Sequence, residues 1–198
     1  MIHFDNENIE PASDCVVIKI KDNDTLSTKS AGFVVGNDVL RNLRVGFAQI
    51  IKLGDEARKN TNLKEGDWVF YDTLSTFYHT HPIAILRYQG LIMESNPEKT
   101  KYRALGGRCI VQEVSPNEET TGGFVIPTSD EMKIGVIKSI TPPYTMTTDA
   151  IPFKVGDKIL LTKEERDTLH GFKGDGELDP TKPIHIYKTD AIICKIND

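Results

Sequence analysis

Two histidines two residues apart, His79 and His81 in TLSTFYHTHP (Thr73–Pro82), are the first residues whose types and spacing could do chemistry. On a strand they fall on one face, the spacing of two metal ligands. No Cys, Asp or Glu completes a set with them, so solvent-facing or packing histidines are the simpler reading. Asp175, Glu177 and Asp179 alternate with Gly174 and Gly176 in GDGELD, without the D-x-[DN]-x-[DN]-G spacing and later Glu of a calcium loop. Glu164, Glu165 and Asp167 form a charge run that reads as a solvated loop. Ser13 and Ser30 have neither a nucleophile elbow nor a partnered histidine, and no glycine-rich phosphate loop occurs. Cys15, Cys109 and Cys194 are an odd set without Cys-x-x-Cys pairing, expected as buried free thiols in a reducing compartment. These residues do not add up to an enzyme, and none of them asks for a cofactor or metal.

The elements that carry them are written twice. DCVVIKIKDNDTLSTKSAGFVV begins at Asp14, and RCIVQEVSPNEETTGGFVI begins at Arg108. Each is an alternating run, a polar stretch, then Gly-Phe and two β-branched residues. LKEGDWVF (Leu63–Phe70) returns as FKVGDKIL (Phe153–Leu160). The offsets are 109 − 15 = 94 for the cysteines, 124 − 33 = 91 for the phenylalanines, 156 − 66 = 90 for the glycines and 192 − 91 = 101 for Leu91 and Ile192. Ordered landmarks with small drifts fit two copies of one domain, 1–98 and 99–198, with the largest length change in Thr162–Pro183. The polar stretch ESNPEKTK (Glu94–Lys101) holds the boundary.

Composition narrows the class. A net charge of −5 without Lys/Arg runs argues against nucleic acid. No run has the length of a membrane span, and MIHFDNENIEP has no apolar stretch for a signal peptide, so a cytoplasmic or other reducing location is expected.

Strand signals lie at Cys15–Ile20, Gly46–Ile51, Trp68–Tyr71, Ile83–Tyr88, Cys109–Val114, Gly135–Ile140, Lys158–Leu161 and Ile184–Lys195. Gly66-Asp67 and Gly156-Asp157 precede strands, where glycine can take positive φ. Val39–Leu43 and Lys163–Leu169 could each form a helical turn. Many short strands between Gly/Pro/Asn/Asp loops predict an all-β chain of two small antiparallel β-barrels. Lys21–Ala31 and Ser115–Gly123 are too polar to pack on a core and are expected to be mobile. Each leads into an apolar triplet, Phe33-Val34-Val35 or Phe124-Val125-Ile126. The triplet is either the next core strand or a short apolar peptide offered to a partner's groove.

IEPASDCVVIK, TKSAGFVV, RVGFAQIIKLG and LKEGDWVF closely resemble the GroES-type co-chaperonins, the lids of chaperonin rings. YRALGGRCIVQEV, TTGGFVIP, IGVIKSI, FKVGDKILL and YKTDAIICKI are similar to the same family a second time. The resemblance implies two GroES-like barrels with long mobile loops, about Lys21–Leu40 and Ser115–Asp130. It implies chaperonin-binding residues Gly32, Phe33, Val34 and Val35, and Gly123, Phe124, Val125 and Ile126. Roof hairpins would lie at about Leu53–Asn62 and Thr141–Pro152. The implied partners are the ATP-bound chaperonin ring, further copies of the chain in a ring-like homo-oligomer and, indirectly, the enclosed unfolded client. Both copies depart from the family by placing Phe first in the triplet. Loop two, followed by Pro127, is closer to the family than loop one, followed by Gly36-Asn37-Asp38. The alternative use of such barrels is a structural or assembly module, for instance virus-encoded or shell-associated, that binds no chaperonin.

Overall fold

The computed structural model describes residues 9–20, 45–80, 82–114, 132–144, 151–162, 166–168 and 184–196. The chain divides into two compact units, Met1–Pro97 and Glu98–Asp198. In the first, alternating apolar residues form β1 (Cys15–Ile20), β2 (Val45–Leu53), β3 (Trp68–Asp72), β4 (Thr76–Thr80), β5 (Ile83–Arg87) and β6 (Leu91–Ser95), with helix α1 (Asp55–Thr61) between β2 and β3. The second unit has β7 (Tyr102–Ala104), β8 (Arg108–Glu113), β9 (Met132–Ile140), β10 (Lys158–Thr162), β11 (Arg166–Thr168), β12 (Ile184–Lys188) and β13 (Ile192–Ile196). The strands pair antiparallel, in the order β4-β5-β1-β2-β3-β6 in the first unit and β11-β12-β8-β9-β10-β13 in the second. This is the all-β class expected from the sequence.

Period-2 alternation puts Val16 and Ile18 on one buried face of β1, while Val17 packs with Ile9 and Ile83 on the other. The second core gathers Cys109, Val111, Ile137, Ile159, Leu161, Tyr187, Ala191 and Ile192.

The same backbone bonds recur in both units. The Gly66 N–H donates to the Ile50 carbonyl at 2.9 Å, as the Gly156 N–H does to Ile137 at 2.9 Å. Asp67 caps the Lys64 N–H at 2.7 Å, and Asp157 caps that of Lys154 at 3.0 Å. Gly66 and Gly156 have φ of +95° and +92° with open space around them, so the left-handed backbone itself calls for glycine. The Tyr88 N–H bonds the Asp14 carbonyl at 3.0 Å, and the Thr189 N–H bonds that of Gly107 at 2.8 Å. The bulge between Val17 and Ile18 on the β1–β2 ladder answers the one between Ile110 and Val111 on β8–β9. These bonds correct the alignment read from sequence: Cys109 occupies the place of Val16, at 109 − 16 = 93, and Cys15 that of Arg108.

Three-residue 3-10 turns, Tyr88–Gly90 and Thr189–Ala191, join β5 to β6 and β12 to β13. The second turn splits the single strand expected over Ile184–Lys195. Both turns have a geometric consequence. β5 and β6 lie four strand spacings apart in the sheet order, about 19 Å on a flat sheet. A three-residue turn at about 2 Å rise per residue falls far short of that. Each sheet is therefore strongly curved.

Helix α1 replaces the roof hairpin expected at Leu53–Asn62. Asp55 and Glu56 sit at its positive end and Arg58 and Lys59 near its negative end. Asn62 closes it with φ 57°. It buries only Ala57 and Thr61, too few apolar residues for a helical stripe to show in the sequence. Its anchors are tertiary: Ser13 Oγ accepts from the Glu56 N–H at 3.3 Å and the Ser13 carbonyl from Ala57 at 3.0 Å. Tyr88 Oη accepts from Asn60 Nδ2 at 2.9 Å and donates to Glu56 Oε1 at 3.2 Å. Residues 166–168, expected within a helical turn, form β11 against β12. β4, β6 and β7 were not anticipated, and Val39–Leu43 lies outside the described residues.

Candidate functional site

The eight residues expected to bind a partner, Gly32, Phe33, Val34, Val35, Gly123, Phe124, Val125 and Ile126, lie outside the described residues. So do residues 145–150 of the second expected roof. What the structure shows is how the two segments that contain the triplets, 21–44 and 115–131, are rooted. Both connect adjacent antiparallel strands, β1 to β2 and β8 to β9. Ile20 pairs with Ala48 and Glu113 with Gly135, so each long segment rejoins its sheet three residues beyond the last pair, about 10 Å along the neighbouring strand. Closing such a loop costs entropy only logarithmically in its length.

The roots differ in chemistry. At the first, Ile20 is buried and its N–H donates to the Pro82 carbonyl at 2.7 Å. At the second, Glu113 ends β8, and the Val114 N–H donates to the Ile134 carbonyl at 2.9 Å. Glu113 Oε1 accepts from Tyr187 Oη at 3.0 Å and lies 3.2 Å from His185 Nε2. The rings of His185 and Tyr187 meet edge-on at 6.3 Å. Sequence reasoning missed this trio; the available signal was the His-x-Tyr alternation on β12.

The remaining chemical candidates fall apart on inspection. His79 is exposed on β4, and His81 lies outside the described residues. Among the described residues no group of three His, Cys, Asp or Glu is placed to hold a metal. Cys15 and Cys109 are buried, but Cys194 is exposed on β13, against expectation, in a stretch where Ile193, Cys194 and Lys195 are all exposed. Burial pushes the Cys109 thiol up to about 12, and burial together with the Asp14 carboxylate raises Cys15. The Asp157 carboxyl is held below its usual value by the Lys195 ammonium, 2.7 Å away, and by the Lys154 N–H. No helix among the described residues is long and apolar enough to cross a membrane.

No curated protein matches the chain in sequence. Residues 101–196, nearly all of the second unit, match the family model described as Chaperonin 10 Kd subunit, whose members are co-chaperones rather than enzymes, and this supports a GroES-like family and a co-chaperonin-like role in general.

Proposed function

We propose that the chain is a tandem co-chaperonin: two GroES-like barrels whose flexible arms, carrying Phe33-Val34-Val35 and Phe124-Val125-Ile126, dock on an ATP-bound chaperonin ring. The observation that carries this reading is the family match over residues 101–196, in which the 115–131 segment falls between paired strands β8 and β9. The shared strand order and the recurrent bonds support extending it to the first unit. The curvature forced by the 3-10 turns supports closure of each sheet into a barrel.

The physics is coherent. A flexible arm gives up conformational entropy when it binds, which keeps each contact weak and reversible. Several arms on one ring-like oligomer bind together through effective concentration. The lid thus stays on collectively and leaves when nucleotide turnover changes its partner. The chain supplies no catalytic group to this cycle; the ATP chemistry belongs to the ring, and the client is enclosed rather than bound.

The test is co-sedimentation of the full chain with the chaperonin double ring of its own host, with and without ATP, beside Val34→Asp and Val125→Asp. ATP-dependent association that either substitution weakens about tenfold or more supports the lid and identifies the working arm. No association at micromolar concentration in either nucleotide state overturns it in favour of a structural module.

A further inference from the structure

We infer that Glu113, His185 and Tyr187 form a polar clamp that positions the root of the 115–131 segment, a device without a counterpart among the described residues of the first unit. The three residues continue the core face. On β8 the inward positions run Cys109, Val111, Glu113, and β12 brings Tyr187 and His185 against them through the pairs Tyr187–Cys109 and His185–Val111. The apolar core therefore ends in a carboxylate, an imidazole and a phenol at the point where the chain leaves the sheet. The trio is nearly closed to solvent, with the side chains of His185 and Glu113 only 8% and 12% exposed.

The shared bonds identify the corresponding residues of the first unit as Ile20, Ala84 and Leu86, all buried and apolar. Apolar burial holds a residue in place without giving it a direction. Two donors converging on one carboxylate oxygen also fix its direction. A buried polar trio is seldom the most stable way to fill a core, so its place at this end fits a requirement for orientation rather than for stability. The backbone opposite supports this. Glu113 pairs with Gly135, where an added Cβ would come within 2.2 Å of Val111 Cγ1 and 3.0 Å of the Gln112 carbonyl. The first unit has Ala48 at that place. A side chain at residue 135 would therefore collide with β8 beside the clamp.

The positioning claim rests on these contacts; that it serves partner binding rests on the proposed function. Hydrogen exchange of the full chain tests the first without any chaperonin. His185→Ala should speed exchange about tenfold in peptides spanning residues 110–114 and 132–136, leaving residues 45–50 unchanged. His185→Gln, which keeps a side-chain N–H near Nε2, should restore most of the protection. Unchanged exchange in His185→Ala, or no rescue by His185→Gln, overturns the clamp. If His185→Ala unfolds the whole second unit, Tyr187→Phe decides. Faster exchange confined to the root supports the clamp, while uniform or absent change across the unit overturns it. Co-sedimentation of the same variants with the ATP-bound ring separates the two claims. Root exchange that responds in a chain that never sediments leaves the clamp and removes the lid. Sedimentation with an unresponsive root leaves the lid and removes the clamp.

Discussion

In the first unit the Gly54 N–H donates to the Cys15 carbonyl at 2.9 Å, and the chain then turns into α1. In the second, Thr141 makes the same bond to Arg108 at 3.0 Å, and the chain runs on through Pro142 and Pro143, where no helix follows among the described residues. Gly54 has no room for a side chain: a Cβ would lie 2.1 Å from the Ala12 carbonyl oxygen. Thr141 has room and uses it, its hydroxyl donating to the Ala104 carbonyl at 2.6 Å. The two units thus share a ladder of backbone bonds and differ in what hangs from it. A ladder is satisfied by any side chain that alternates correctly, whereas a helix, a close approach or a polar trio needs particular residues.

That comparison can be broken most forcefully in the cores. Ile50 and Ile137 occupy equivalent buried positions, so Ile50→Ala and Ile137→Ala should each cost about 2–5 kcal/mol in their own unit. Fluorescence of Trp68, the single tryptophan, reports the first unit in a urea titration, and hydrogen exchange reports the second. A loss in one unit only would mean that the matched positions are not equivalent. Gly54→Ala comes next, at about 1–3 kcal/mol from pushing backbone against backbone, while Thr141→Ala should cost about 1 kcal/mol for its lost hydrogen bond. The same two measurements rank them, and a neutral Gly54→Ala would refute the close approach.

A smaller effect sharpens the comparison at the Gly-Asp turns. The second unit pairs Asp157 with Lys195, where the first has Glu94 at the corresponding place. Because the Asp157 carboxyl is lowered in the folded chain, its contribution is present above the usual value of 3.8 and fades as pH falls below it. Lys195→Met should therefore destabilise the second unit slightly at pH 7, and the gap to wild type should close in acid denaturation only as pH falls below 3.8. Constant separation down to pH 2 would contradict the assignment. The smallest effect leaves stability untouched. Thiol labelling at pH 8 should modify Cys194 first and Cys109 last, since Cys109 is buried and its thiol is pushed to about 12. Rapid labelling of Cys109 would show that the second core opens readily.

Much of the frame was legible before any coordinates. Cys15–Ile20 appeared as a strand with its observed ends because its apolar residues are dense and bounded by turn formers. β4 was hidden because TFYHT carries no clean alternation and leaves Phe77 exposed. α1 was hidden because DEARKNT is held by Ser13 and Tyr88 rather than by an apolar stripe of its own. Of the candidate site, the sequence marked the apolar triplets, which lie outside the described residues, and missed the trio at the second root.

By itself, the sequence determined the all-β character, the Gly-Asp turns and the duplicated order of motifs, because alternation and turn chemistry are local and survive in the one-dimensional string. Tertiary structure alone decided that Cys109 answers Val16 rather than Cys15, that β5 and β6 flank opposite sides of β1-β2-β3, and that Glu113 meets Tyr187 across 74 residues. Each of these depends on the register between distant strands, which is set by how bulges and cores fit together and is written in no single segment.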